Sequence, residues 1–283
     1  MAIAAGTEVY KVDHLRVIAR GRSHSDSERD DALTGDVRSL IQDDAGIERA
    51  KSVTAGLSLT GFQSTNLLAV LSEGSAPKDW EVGEAYGEAY LVEHHQCHFP
   101  WSDRWDERKD KSSLPGSDMV GFQEISSAKS KSYRFAFGEV KTSTDGKYPP
   151  GVMYGKEGLK QQMEDLRDRQ DIRNTLVRYV AMRAVAADWG DKFKIAMCRF
   201  LQESTDVAVY GILVRDVPPD ARDLRTRAEN LGAVHPASMH IELLAIYLPL
   251  GSIALLSKKC SAVKAAPVKK RPVKKTMRKN GGA

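Results

Sequence analysis

Between Tyr133 and Leu250 short apolar runs alternate with longer stretches of helical periodicity, and this alternation restricts the chain to an α/β fold. "YRFAFGEVK", "KIAMCRFLQ", "VAVYGILVRD" and "MHIELLAIYLPL" are rich in β-branched and aromatic residues and read as strands. Between the first two, "EGLKQQMEDLRDRQDIRNTLVRYVAMRAVAADWG" brings Leu159, Met163, Leu166, Leu176, Val177 and Val180 onto a helical face, in one or two long helices. "PPDARDLRTRAENLG" supplies a helix between the last two strands. Upstream, "PKDWEVGEAYGEAYLVEHH" opens with Pro77 and spaces Val82, Ala85, Tyr86 and Ala89 as one apolar stripe, so a helix is expected there too. A short strand, "SDMVGF", follows a polar, turn-rich segment, "CHFPWSDRWDERKDKSSLPG". Nearer the start, "EVYKV" and "LRVIARG" read as strands and "SERDDALTGDVRSLIQDD" as an exposed helix, while "GFQSTNLLAVLSEG" fits either type. The expected architecture is a mixed central sheet flanked by helices.

A chain of 283 residues with 41% hydrophobic content can bury one sizeable core. The reading is a single domain over residues 1–257, its core from about 80 to 257 and accessory elements at 1–79. No apolar run approaches the length that spans a bilayer, and the first residues lack the pattern of a signal peptide, so a cytoplasmic protein without a membrane partner is expected. Cys97, Cys198 and Cys260, odd in number and widely spaced, are expected to be free thiols.

The net charge of +4 hides a division. From Lys258 onward there are ten Lys and Arg and no acid, which leaves the preceding 257 residues at −6. A segment such as "KAAPVKKRPVKKTMRKNGGA" has too little apolar surface to offset the entropy of ordering it, so residues 258–283 are expected to be a disordered basic tail. Such a tail grips phosphates or simply keeps the chain soluble.

The informative conflict lies at 138–141. An apolar strand, "YRFAF", runs into Glu139 and Lys141. Alternate strand residues share a face, so the acid and the base point the same way and Val140 enters the opposite layer. Asp118, at the start of the preceding strand, adds a second carboxylate. Two carboxylates suit a Mg²⁺ ion that keeps several waters, and a neighbouring lysine can orient or deprotonate such a water, or neutralise charge on a phosphate. The plain alternative is a solvated charge pair beside a turn.

These residues resemble the PD-(D/E)xK nuclease superfamily: "PGSD" at 115–118, a gap of twenty residues, then "GEVK" at 138–141. The resemblance implies a restriction-endonuclease-like core of helix, antiparallel hairpin, helix and strand. It implies a DNA-cleaving, Mg²⁺-dependent phosphodiesterase in which Mn²⁺ can replace Mg²⁺, with Asp118, Glu139 and Val140 around the metal and Lys141 in the chemical step. A further acid would come from the helix before, as Glu84 or Glu88. Measured against the apolar stripe, Glu88 lies nearer the border and is preferred. A glutamine would come from the helix after, as Gln161 or Gln162. The chain is also similar to the nuclease subunit of Hachiman-type helicase–nuclease anti-phage systems, which implies a separate helicase partner. No GxxxxGK[ST] loop is present for the chain to hydrolyse nucleotides itself.

Two other readings stay open. One is a nuclease-like fold without activity that binds DNA or a partner. The other is a zinc-stabilised regulatory protein using His94, His95, Cys97 and His98 with His235 and His240, whose ligand types suit zinc although their spacing matches no common zinc motif. Asp103, Asp106 and Glu107 are expected in a solvated loop, where Trp101 and Trp105 either stack on bases or pin the loop to the body.

Overall fold

A strand covered on both faces must be apolar on both, and Val207–Arg215 meets that demand: all nine residues of "VAVYGILVR" are buried. It is the centre of the computed structural model, which describes residues 2–42, 76–100, 116–127, 130–185 and 187–262, with isolated positions between 52 and 66. Most of the ambiguous stretch at 61–74, the segment 101–115 with Trp101, Asp103, Trp105, Asp106 and Glu107, and everything beyond 262 lie outside the described residues.

The strands are β1 (Thr7–His14), β2 (Val17–Ser23), β3 (Cys97–His98), β4 (Met119–Ser127), β5 (Ser130–Ser143), β6 (Val207–Arg215) and β7 (His240–Tyr247). They form one sheet in the order β1-β2-β7-β6-β5-β4-β3. The inner neighbours β2/β7, β7/β6 and β6/β5 are parallel; β1/β2, β5/β4 and β4/β3 are antiparallel. The expected α/β class with a mixed, helix-flanked sheet is what the chain adopts. The segment at 1–79 is more than accessory, because β1 and β2 extend this same sheet beside β7.

Helices α1 (Asp26–Thr34), α2 (Asp36–Gln42), α3 (Asp79–His94) and α8 (Leu256–Ala262) supply or border the core on one face of the sheet. The other face carries α4 (Leu159–Asp168), α5 (Gln170–Arg183), α6 (Gly190–Gln202) and α7 (Arg225–Ala233). Val82, Ala85, Tyr86 and Ala89 are buried as their spacing predicts, and so are the six apolar positions named in α4 and α5.

Four expectations are corrected. "KIAMCRFLQ" is the body of helix α6, not a strand: Phe193, Ala196, Met197 and Phe200 recur at helical spacing, and Phe193 and Phe200 meet Phe135 edge-on. The single exposed helix at 27–44 is two helices parted at Gly35, and Ala32, Leu33, Val37 and Ile41 are buried. Lys258–Ala262, assigned to the tail, belong to α8, where Cys260 is buried and Lys259 pairs with Asp30 at 2.7 Å. His98 and Cys97, read as turn, form β3 against Phe122 and Gln123. Among the described residues no helix is long and apolar enough to cross a membrane.

Candidate active site

The site grows from the β4–β5 hairpin. Met119 pairs with Gly138, so Asp118, one step before β4, stands across from Glu139. In β5, Phe135 and Phe137 face the α4–α7 layer and Ala136 and Val140 face α3. Strand alternation therefore turns Glu139 and Lys141 toward the α4 side. The side chain of Val140 goes the other way, so only its main chain can meet a metal held by the two carboxylates.

Asp118 Oδ2 accepts a hydrogen bond from the Val140 N–H at 2.9 Å, which ties the start of β4 to the strand bearing the acid and base. Ser117 reinforces the junction: buried, its Oγ lies 2.8 Å from the Gly138 carbonyl and 3.0 Å from that of Met119. Sequence reasoning missed this residue, although the "GSD" string that carries it was visible.

Glu139 has 0% exposure. Its Oε1 accepts from Lys141 Nζ at 2.7 Å, whereas Oε2 is buried with no hydrogen-bond partner. Burial, reinforced by the neighbouring Asp118 carboxylate and only partly offset by Lys141, pushes its pKa up to about 8. For Lys141, burial pulls the pKa down, but the charges of Glu139, Asp118 and Glu84 outweigh it and hold the ammonium above its ordinary value. Lys141 is thus a cation at neutral pH.

Helix α3 lies close against this strand because it presents glycine there. A Cβ at Gly83 would stand 2.0 Å from Thr142 Oγ1, and one at Gly87 would stand 3.1 Å from Val140 Cγ2. Gly83 is thereby level with Thr142, and so Glu84 is level with Lys141. Glu88 lies about 6 Å further along the helix axis. Both acids are half-buried; the one whose charge acts on Lys141 is Glu84.

On the opposite layer, Gln161 is exposed and bonds Asp165 Oδ1 at 3.0 Å. Gln162 turns inward, and its Oε1 is buried without a partner. Two orphaned acceptors thus lie on packed elements, Glu139 Oε2 on β5 of the sheet and Gln162 Oε1 on α4, which covers that face. An unsatisfied buried acceptor costs about 1–3 kcal/mol, so both atoms call for a donor or a cation. Asp118 and Glu139 offer carboxylate oxygens of the kind that Mg²⁺ or Mn²⁺ takes with water completing the shell. Among the described residues no group of three or more His, Cys, Asp and Glu side chains forms a ready-made metal cage.

The candidate zinc ligands do not share one site; of them, His95 and His240 approach the same carboxylate oxygen, on Glu242. His94 Nε2 lies 3.1 Å from the Ile3 carbonyl, while His98 stacks on Phe122. His95 Nδ1 and His240 Nε2 lie 3.4 and 3.6 Å from Glu242 Oε2, and Cys97 is buried with burial pushing its thiol up to about 12. His235 sits in the turn before β7, and burial lowers its pKa. No family model matches this chain, and no curated protein matches it.

Proposed function

We propose that this chain is a metal-dependent nuclease of the PD-(D/E)xK type that cleaves phosphodiester bonds of DNA. The observation that carries the reading is Glu139: a fully buried carboxylate with one oxygen on Lys141 and the other orphaned, facing Asp118 across an antiparallel hairpin. A carboxylate kept in such a place at a cost to stability is a candidate for function. The surrounding order supports it: helix α3 and the hairpin β4–β5 are followed by helices α4, α5 and α6 and by strand β6 parallel to β5, an order compatible with the helix, hairpin, helix and strand that the superfamily uses.

Asp118 and Glu139 would hold the cation, with the Val140 main chain beside them. Bound there, Mg²⁺ supplies an activated water and positive charge at the phosphate. Glu139 must release its proton to serve. Lys141, already cationic, would neutralise charge that builds on the phosphate oxygens, and Gln162 Oε1 would accept a hydrogen bond from a water and orient it. Glu84, level with Lys141, is the preferred helix acid in place of Glu88. The proposal extends to an effector in anti-phage defence working beside a separate helicase subunit, on the strength of the sequence resemblance.

The test is incubation of the purified chain, alone and with a helicase encoded beside it, with plasmid, linear and single-stranded DNA in Mg²⁺, Mn²⁺ and EDTA. Cleavage should require the metal and disappear in Asp118→Ala and Glu139→Ala while DNA binding persists. Undiminished cleavage by Glu139→Ala would exclude this site. Metal-independent DNA binding with no cleavage under any condition would favour the inactive, DNA-binding reading.

A further inference from the structure

The two carboxylates of the candidate site are anchored unequally. Glu139 lies inside β5, whose neighbours on the two sides pair Gly138 with Met119 and Glu139 with Gly211. Asp118 stands one residue before β4, beyond the last rung of its ladder with β5. Continued past that rung, the register would set the main chain of Ser117 against Val140. Instead the Val140 N–H donates to Asp118 Oδ2 at 2.9 Å, so a side chain takes the place of a main-chain rung. The chain leaves the strand direction at Gly116, where φ is +104° and a Cβ would stand 3.3 Å from Ile172 of α5.

Ser117 holds this splayed segment from within. It is 2% exposed, and its Oγ lies 2.8 Å from the Gly138 carbonyl oxygen on β5 and 3.0 Å from that of Met119 on β4. A serine hydroxyl has one proton to give, and here it stitches the two strands immediately beside the acids. The two staples differ in kind. The Val140 bond occupies one of the oxygens that Asp118 would offer to a cation, whereas the Ser117 bond leaves both free. Ser117 is therefore placed to act on the spacing of the carboxylates without joining their chemistry. Spacing is what separates divalent cations: Mg²⁺ demands a near-octahedral shell at about 2.0–2.1 Å, whereas Ca²⁺ accepts about 2.3–2.6 Å in flexible geometry.

We propose that Ser117 is a positioning residue that fixes the separation of Asp118 and Glu139 and thereby sets the preference of the site for a small cation, Mg²⁺ or Mn²⁺, over Ca²⁺. It touches neither cation nor substrate and acts through the segment at 117–119 and the Gly138 carbonyl. With the hydroxyl gone, Asp118 gains freedom relative to the strand-held Glu139, a change that a rigid octahedral shell tolerates less than an adaptable one. The inference rests on the metal site of the nuclease reading and needs nothing of its DNA.

The experiment is a Mn²⁺ titration of the full chain without DNA, followed by the loss of the free-ion paramagnetic resonance signal, with Mg²⁺ and Ca²⁺ as competitors. In the parent, Mn²⁺ should bind, and Asp118→Ala should abolish that binding. Ser117→Ala should weaken Mn²⁺ and Mg²⁺ at least tenfold and Ca²⁺ less than threefold, so that the preference for Mg²⁺ falls. Ser117→Cys, nearly the same size with a weaker donor, should shift the preference in the same direction, and it decides the matter if Ser117→Ala fails to fold. A general loss of structure would weaken all three ions together, which keeps a merely structural role apart from a positioning one. If Asp118→Ala removes Mn²⁺ binding but the folded Ser117 variants keep the parent's preference, the proposal is overturned and the metal site stands. If the parent takes up no Mn²⁺ at millimolar concentration, or Asp118→Ala binds it as the parent does, the metal site of the nuclease reading fails and this inference with it.

Discussion

A carboxyl group with no solvent contact and one unpartnered oxygen cannot titrate where a free glutamate does. Glu139 ionises near 4.5 in an unfolded chain and at about 8 when folded. Between those values the folded protein keeps a proton that the unfolded chain has lost, so stability falls as pH rises through this window and levels off above it. Glu139→Gln should remove that slope: its unfolding free energy in metal-free buffer should gain steadily on that of the parent from about pH 5 to 8, by on the order of a few kcal/mol at the top. A parent whose margin widens with pH would contradict the assignment. Lys141 acts on charge, so Lys141→Ala should slow single-turnover cleavage by about 10²–10³-fold. Lys141→Arg should not restore it, because the planar guanidinium is larger than the ammonium it would replace beside a fully buried carboxylate and cannot give up its proton. That Glu139 and Lys141 share a face was legible in the sequence, because strand alternation alone places them there; Asp118 comes opposite Glu139 through the β4–β5 register. Ser117 was not legible, since its role depends on the Gly138 carbonyl, twenty-one residues away. The choice between Glu84 and Glu88 was equally hidden, because it depends on how far α3 slides along β5.

Helix α3 turns a local sequence feature into that alignment. The tandem "GEAYGEAY" contains two poor helix formers, yet its glycines are the points where side chains of the sheet, Thr142 at Gly83 and Val140 and Ile212 at Gly87, reach the helix backbone. Gly83→Ala should therefore destabilise the protein by about 1–3 kcal/mol despite the better helix propensity of alanine, read as a lower urea midpoint at unchanged m-value. Thr142→Gly in the same chain should recover part of the loss, since the clash is with the Thr142 side chain. Stability of Gly83→Ala at or above the parent would mean that α3 has room to move. Helix α6 shows the reverse limit of sequence reading. Seen from Lys194 onward, the short apolar run Ile195–Cys198 suits a strand, and only with Gly190–Phe193 included does the helical period emerge. Periodicity identified elements with several apolar positions at helical spacing, such as α3 and α4, and failed where the apolar run was short and continuous.

For the whole molecule, charge and topology set separate demands. With Lys258 and Lys259 of α8 counted, residues 1–262 carry a net −4 and repel a phosphate backbone, so DNA must be met by local cations. Deleting residues 264–283 removes eight of them and spares α8, whose Leu256 and Cys260 are buried in the core. DNA affinity should weaken, and the slope of log affinity against log salt should become shallower by roughly 0.7–0.9 for each phosphate that the shortened chain no longer neutralises, with the maximal cleavage rate near normal. An unchanged slope would assign DNA affinity to the groove or to a partner. The sheet order adds a consequence for biosynthesis. Strand β2 lies beside β7, with Val17 paired to Ile241, so the inner edge of the N-terminal hairpin has no neighbour until roughly 220 further residues have been made. At about 5–20 residues per second that wait is roughly 10–45 s, and an isolated two-stranded hairpin is marginal at best in water. A ribosome-bound chain halted before residue 240 would expose this edge to chaperones and to other nascent strands, and the last strand to be translated is the one that withdraws it.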